Sequence, residues 1–153
     1  MKLTKVIEGT FLSDALEITE PFLMIDSFRL SEDGSLGYGK KSLTAQDWFF
    51  DCHLKTQMVM PATLQIEGML QTMVMLIYQT FEHGKARSFI TDIDVKVLNA
   101  AKPGIDIEYE AKILRFRRGI FKGEVTGKSN ERTICKGVFS YASPHLISAP
   151  KID

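Results

Sequence analysis

Residues 48–71 read WFFDCHLKTQMVMPATLQIEGMLQ, and within them His53 and Glu67 stand fourteen positions apart. An imidazole and a carboxyl group can move protons near neutral pH, the first taking one and the second delivering one to a leaving group. Each residue also has an ordinary reading. His53 reads equally as a loop histidine bonded to backbone. Thr63, Glu67 and Gln71 fall at i, i+4 and i+8, the spacing of a thin solvated stripe on a helix. Against the stripe, Leu64, Ile66, Leu70 and Val74 leave little width for a polar face. Burial favours the uncharged form of a carboxyl group, so Glu67 is a candidate acid and His53 a candidate base. His83 reads as a helix-end residue at the negative pole. His145 carries no role.

These two groups need a loop and a helix to hold them. Pro61 suits the first turn of a helix, where its missing N–H costs nothing. From Leu64 to Phe81 apolar residues cover most of the helical circumference, the pattern of a helix buried on nearly all sides. Its expected end is around His83-Gly84, with Gly84 as the cap. About twenty residues span roughly 30 Å, enough to cross a small domain. Before this helix, a short helix is expected over Ser13–Thr19, stopped ahead of Pro21. A hairpin follows, from Phe22–Leu30 through the turn Glu32-Asp33-Gly34 to Ser35–Thr44. After the helix, period-two runs predict strands over 93–97, 105–113, 120–126 and 133–141, with turns at Lys102-Pro103-Gly104 and Arg118-Gly119. The class is α+β, an antiparallel β-sheet wrapped around one long central α-helix.

Composition narrows the partners. Lysine plus arginine equals aspartate plus glutamate, so the chain lacks the charge excess of a nucleic-acid or polybasic membrane binder. Cys52 and Cys135 have no metal-ligand spacing, and neither a metal nor another cofactor is expected. The apolar run 58–81 carries Gln65, Glu67, Gln71 and Gln79, which a membrane span would hold only at a large cost. The start MKLTKVIEGTF lacks an apolar core of signal-peptide length. Residues 1–153 therefore read as one cytoplasmic domain, with a loosely held tail over 144–153.

The segment also resembles the signature of the 3-hydroxyacyl-acyl-carrier-protein dehydratases of FabA/FabZ type, which have the hotdog fold. The likeness rests on His53, the intact Val59-Met60-Pro61, and Glu67 at the same separation of fourteen. Trp48-Phe49-Phe50 and Cys52-His53 resemble the FabA-type lead-in, and a glutamate in place of aspartate resembles the FabZ type. Further matches are Pro21-Phe22-Leu23-Met24-Ile25-Asp26, Ile93-Asp94, Pro103-Gly104 and Arg118-Gly119-Ile120 with Lys122. The resemblance implies that the histidine takes the α-proton of a (3R)-hydroxyacyl thioester while the carboxylic acid helps the 3-hydroxyl leave as water. It implies an oxyanion donor at the backbone N–H of Ala62, and substrate contacts from Cys52, Met58, Met60 and Met69 along an apolar tunnel. The implied partners are an acyl carrier protein bearing the substrate and a second copy of the chain. His53 would then come from one protomer and Glu67 from the other, with trimers of dimers as a further assembly.

The loop departs from the family's HFPGxPVMPG. Leu54 replaces phenylalanine, Lys55-Thr56 replaces Pro-Gly, Met58 replaces the second proline, and Ala62 replaces the last glycine. Val97–Ala101 replaces a stretch with two arginines, leaving Arg115, Arg117, Arg118 and Lys122 as a basic cluster or as a solvated strand end. Two alternatives stay open, a hotdog that binds acyl thioesters without turnover and a hotdog thioesterase.

Overall fold

Pro61 has no N–H to donate, but its carbonyl accepts from Leu64 (3.0 Å) and Gln65 (3.1 Å), which opens a helix at Ala62. In the computed structural model, which describes residues 4–81 and 88–143, this helix runs over Ala62–Thr80. It ends with the Phe81 N–H bonded to Ile77 O, short of the expected end; Gly84, His83, His145 and the tail lie outside the described residues. It is the third helix, α3, after α1 (Gly9–Leu16) and the single turn α2 (Trp48–Asp51).

The strands are β1 (Ile7–Glu8), β2 (Ser27–Leu30), β3 (Leu36–Ser42), β4 (Phe89–Val97), β5 (Asp106–Arg117), β6 (Ile120–Ser129) and β7 (Arg132–Ala142). They form one antiparallel sheet in the order β1-β2-β3-β5-β6-β7-β4. α3 lies on its inner face against β2, β3, β5 and β6. This is the expected α+β hotdog arrangement. Small residues let the layers meet: a Cβ built on Gly39 would sit 2.2 Å from Thr72 Oγ1, and one on Gly68 would sit 2.7 Å from the Tyr109 hydroxyl. Met69, Met73, Met75, Leu76 and Ile77 are fully buried with Phe28, Tyr109, Phe121 and Phe139 in the core between helix and sheet.

The expected hairpin forms, with Leu30 opposite Gly37 and Ser27 opposite Lys40. The Asp33 carboxylate accepts from the Ser31 and Ser35 hydroxyls and the Ser35 N–H, fixing the turn. Two boundaries differ from expectation. The first helix occupies Gly9–Leu16 rather than Ser13–Thr19, because Leu12 and Leu16 bury one helical turn apart and Glu17 then adopts left-handed backbone (φ 57°). Only Ser27–Leu30 of the apolar run from Phe22 is strand: ahead of it the Phe22 and Leu23 N–H groups turn back to Thr19 O, and the Gln71 side chain takes Phe22 O and the Met24 N–H. Lys41 reaches Asp26 (3.3 Å) and Asp47 (3.7 Å) from a buried position on β3, and those carboxylates also accept the N–H groups of Ser42 and Thr44. The lysine thus ties the start of the hairpin to the turn before α2. Among the described residues no helix is long and apolar enough to cross a membrane.

Candidate active site

Three aromatics in a row read ambiguously, but here they fold as one turn. Phe49 and Phe50 enter the core, with ring centroids 4.8 Å apart. Trp48 stays partly exposed and donates its Nε1–H to Pro21 O (3.0 Å), joining the segment before the hairpin to the turn before the loop. The chain then leaves the core, and every residue from Asp51 to Met58 is exposed. It returns at Met60, whose N–H bonds to Ala101 O (2.8 Å) and whose side chain is buried.

Within this loop the His53 Nδ1 lies 3.1 Å from the carbonyl oxygen of Val59. A carbonyl can only accept, so the bond places a proton on Nδ1 and leaves the Nε2 lone pair of the neutral ring free. The loop thereby presents an imidazole with one basic nitrogen turned away from its own backbone.

Glu67 sits on α3, half-buried, past the first turn. Its Oε1 accepts from Gln71 Nε2 (3.0 Å) one turn later. Gln71 is only 2 % exposed, which removes the solvated-stripe reading. The same Nε2 donates to Phe22 O (2.9 Å), and Gln71 Oε1 accepts from the Met24 N–H (2.8 Å). A buried amide therefore clamps the irregular segment 22–24 and orients the carboxyl group. Sequence reasoning placed Gln71 in line with Glu67 but did not assign it this role; the i, i+4 spacing inside an apolar helix was the signal. Tyr141 on β7 donates to Leu70 O (3.3 Å). Burial, then the nearby Glu67 carboxyl and Tyr78, push its phenol well above the ordinary range, so it remains a neutral donor.

Ala62 is the exposed first residue of α3, and among the described residues nothing accepts from its N–H. Unpaired donors at a helix start can bind developing negative charge. Met58 is exposed on the loop, as is Cys52, whose thiol lies 3.6 Å from Trp48 O. Met60 and Met69 are core residues. Among the described residues no hydrogen bond or ion pair joins His53 to Glu67. Two surface clefts, of about 640 and 470 Å³, lie instead beside the loops at 100–106 and 128–132, with neither His53 nor Glu67 in their walls. The chain thus holds an imidazole on an exposed loop and a carboxyl group on a helix, and neither lines these two clefts.

Residues 18–137 match the FabA-like domain. The chain is 29 % identical over 136 residues to a 3-hydroxyacyl-[acyl-carrier-protein] dehydratase FabZ of Bacillus licheniformis, covering 84 % of this chain and 94 % of that one. A Fusobacterium nucleatum FabZ is 29 % identical over 137 residues, covering 84 % and 95 %. Among solved structures, the dehydratase heterocomplex ApeI:P of Xenorhabdus doucetiae superposes with a TM-score of 0.68 at 12 % identity, over 87 % of this chain and 90 % of that one. A fluoroacetyl-CoA-specific thioesterase, FlK, gives 0.61 at 18 % identity, over 74 % and 87 %. These two likenesses speak for the fold, which dehydratases and thioesterases share. The sequence match extends from Ile18 through Gly137, across the hairpin, the His53 loop, α3 and most of the sheet, and the chain belongs to the FabA-like domain family.

Proposed function

We propose that this protein dehydrates (3R)-hydroxyacyl thioesters carried on acyl carrier protein, giving trans-2-enoyl thioesters for fatty-acid or related polyketide or polyene synthesis. The observation that carries the reading is the His53–Val59 bond, which leaves a basic Nε2 in a chain 29 % identical over 136 residues to a FabZ dehydratase. His53 Nε2 takes the α-proton, and the C–H electron pair moves toward the thioester carbonyl. The Ala62 N–H stabilises the charge on that oxygen. The electrons return to form the C2=C3 bond as the C3–O bond breaks, and Glu67 supplies the proton that makes the leaving hydroxide water. His53 ends protonated and Glu67 ionised, and one proton passed between them resets the site.

The active unit in this reading is a homodimer in which His53 of one protomer faces Glu67 of the other. The exposed loop and the half-buried carboxyl group of a single protomer support it. Cys52 and Met58 then line the seam. Arg115, Arg117, Arg118 and Lys122 cluster exposed around the β5–β6 turn, with Arg115 directly opposite Lys122. Like charges set opposite each other favour an anionic partner, here the acidic carrier protein.

The test supplies purified protein with 3-hydroxyacyl carrier-protein thioesters of several chain lengths and follows enoyl absorbance. Enoyl formation is the expected result. Thiol release without enoyl product would mean a thioesterase, and binding without either would mean a carrier of acyl groups. In the same assay Gln71→Leu is expected to lower kcat roughly tenfold, about 1.4 kcal/mol of lost positioning, with KM little changed. It also orphans Phe22 O and Met24 N, which costs about 1–3 kcal/mol in urea unfolding. A fall in stability with kcat intact would make Gln71 purely structural.

A further inference from the structure

Residues 51–58 are exposed throughout, so the loop that carries His53 takes little of its placement from burial of its own side chains. Its two ends set that placement. At the far end Met60 is buried and its N–H is bonded to Ala101 O. At the near end Phe49 and Phe50 are buried, which fixes how deep the turn α2 sits. Apolar burial is non-directional, and it leaves the tilt of the turn to other contacts. Trp48 supplies a directional one, donating its Nε1–H to Pro21 O (3.0 Å). The Trp48 carbonyl lies 3.6 Å from the thiol of Cys52, the residue next to His53, so a tilt at Trp48 passes directly to the base.

The place of the acceptor in the chain gives this bond its consequence. Phe22 O, the next carbonyl after Pro21 O, accepts from Gln71 Nε2, the same nitrogen that donates to Glu67. Neighbouring carbonyls of one segment thus take the indole that starts the base loop and the amide that orients the acid. Asp26, at the other end of that segment, meets Lys41, which also meets Asp47, the residue before Trp48. Segment 21–26 is therefore tied to the entry of the loop at both of its ends. We propose that Trp48 is a positioning residue for the dehydration. Its bond to Pro21 O sets the direction in which Cys52 and His53 leave the core, and so keeps His53 Nδ1 on Val59 O with Nε2 free for the α-proton. The proposal rests on the dehydratase reading above and adds to it a residue that acts through the base without touching substrate. A second copy of the chain is not required for it, because every contact named lies within one chain.

Trp48 is the only tryptophan in the chain, so incorporating its benzothiophene analogue exchanges one N–H for sulfur and alters no other residue. The azaindole analogue keeps the N–H and is the control for packing. The benzothiophene protein is expected to lose roughly tenfold in kcat with KM within about twofold, the mark of a displaced but chemically intact base. The azaindole protein is expected to match wild type. Nitrogen NMR of the imidazole adds a readout that needs no turnover, with His53→Ala assigning the signal among the three histidines. In wild type the neutral His53 ring is expected to carry its proton on Nδ1, and in the benzothiophene protein to average between tautomers. Wild-type kcat or an unmoved tautomer in the benzothiophene protein, or an equal loss in the azaindole protein, would overturn the proposal. Were wild type itself to give no enoyl product, the dehydratase reading would fail, and the tautomer alone would decide whether Trp48 positions His53.

Discussion

His53→Ala is expected to lower enoyl formation by about 10²–10⁴-fold, the range that a positioned general base contributes. The fold should hardly notice. His53 is exposed on a loop whose residues contribute no side chain to the core, and its one hydrogen bond goes to Val59 O. The change in unfolding free energy is therefore expected to stay within about 1 kcal/mol. This separation makes the variant informative, because lost turnover cannot be traced to lost structure. A decrease of less than tenfold would remove His53 from the role of base.

The same variant reports which chain supplies which group. Glu67→Gln keeps the shape of the side chain and its place beside Gln71 but has no acidic proton to give. Each variant alone is expected to be nearly inactive. If the site is shared, a hybrid dimer of the two carries one site with both defects and one with none. Random pairing makes half the dimers hybrid, so co-refolded protein should regain roughly a quarter of wild-type activity. Were both groups to act within one protomer, every site in the hybrid would keep one defect and no activity would return.

Much of this was legible in the chain because the relevant signals are local. Pro61 followed by an apolar run specifies where α3 starts and that it is buried, and alternation specifies β4 to β7 and their turns. The signals that failed were those satisfied across the fold. Phe22-Leu23-Met24-Ile25 has the composition of a strand, but Gln71, distant in sequence, occupies the backbone groups of Phe22 and Met24 that a neighbouring strand would use. Gln71 itself looked like part of a polar stripe, since spacing along a helix does not show what lies opposite. Trp48-Phe49-Phe50 gave no period to read, and its single helical turn is set by burial of two rings and a bond from the third to Pro21. Met60 and Met69 lie in the core, and composition alone does not tell a core methionine from one that lines a tunnel. Alternation in β4 was read correctly as a strand. It is silent on the place of β4 at the edge of the sheet, because edge and central strands alternate alike.

Ala62→Pro is the substitution expected to remove the oxyanion donor while leaving the helix in place. Proline is generally disruptive, but the first helical position is where it is tolerated best, since that N–H has no partner within the helix. The preceding residue must be extended, and Pro61 already has φ −53° and ψ 135°. The Ala62 N–H meets no acceptor among the described residues, so no bond that maintains the fold is lost. Circular dichroism and melting temperature are expected to stay at wild-type values. Turnover should nevertheless fall by about 10²–10³-fold, the cost of removing one donor from an oxyanion hole. Ala62→Gly supplies the control, because it keeps the N–H, restores the glycine of the family pattern and removes the methyl group from the path of the thioester. It should retain kcat, and any gain should show in KM. Wild-type kcat in the proline variant would mean that the thioester oxygen is stabilised elsewhere, and would take Ala62 out of the mechanism while leaving His53 and Glu67 in it.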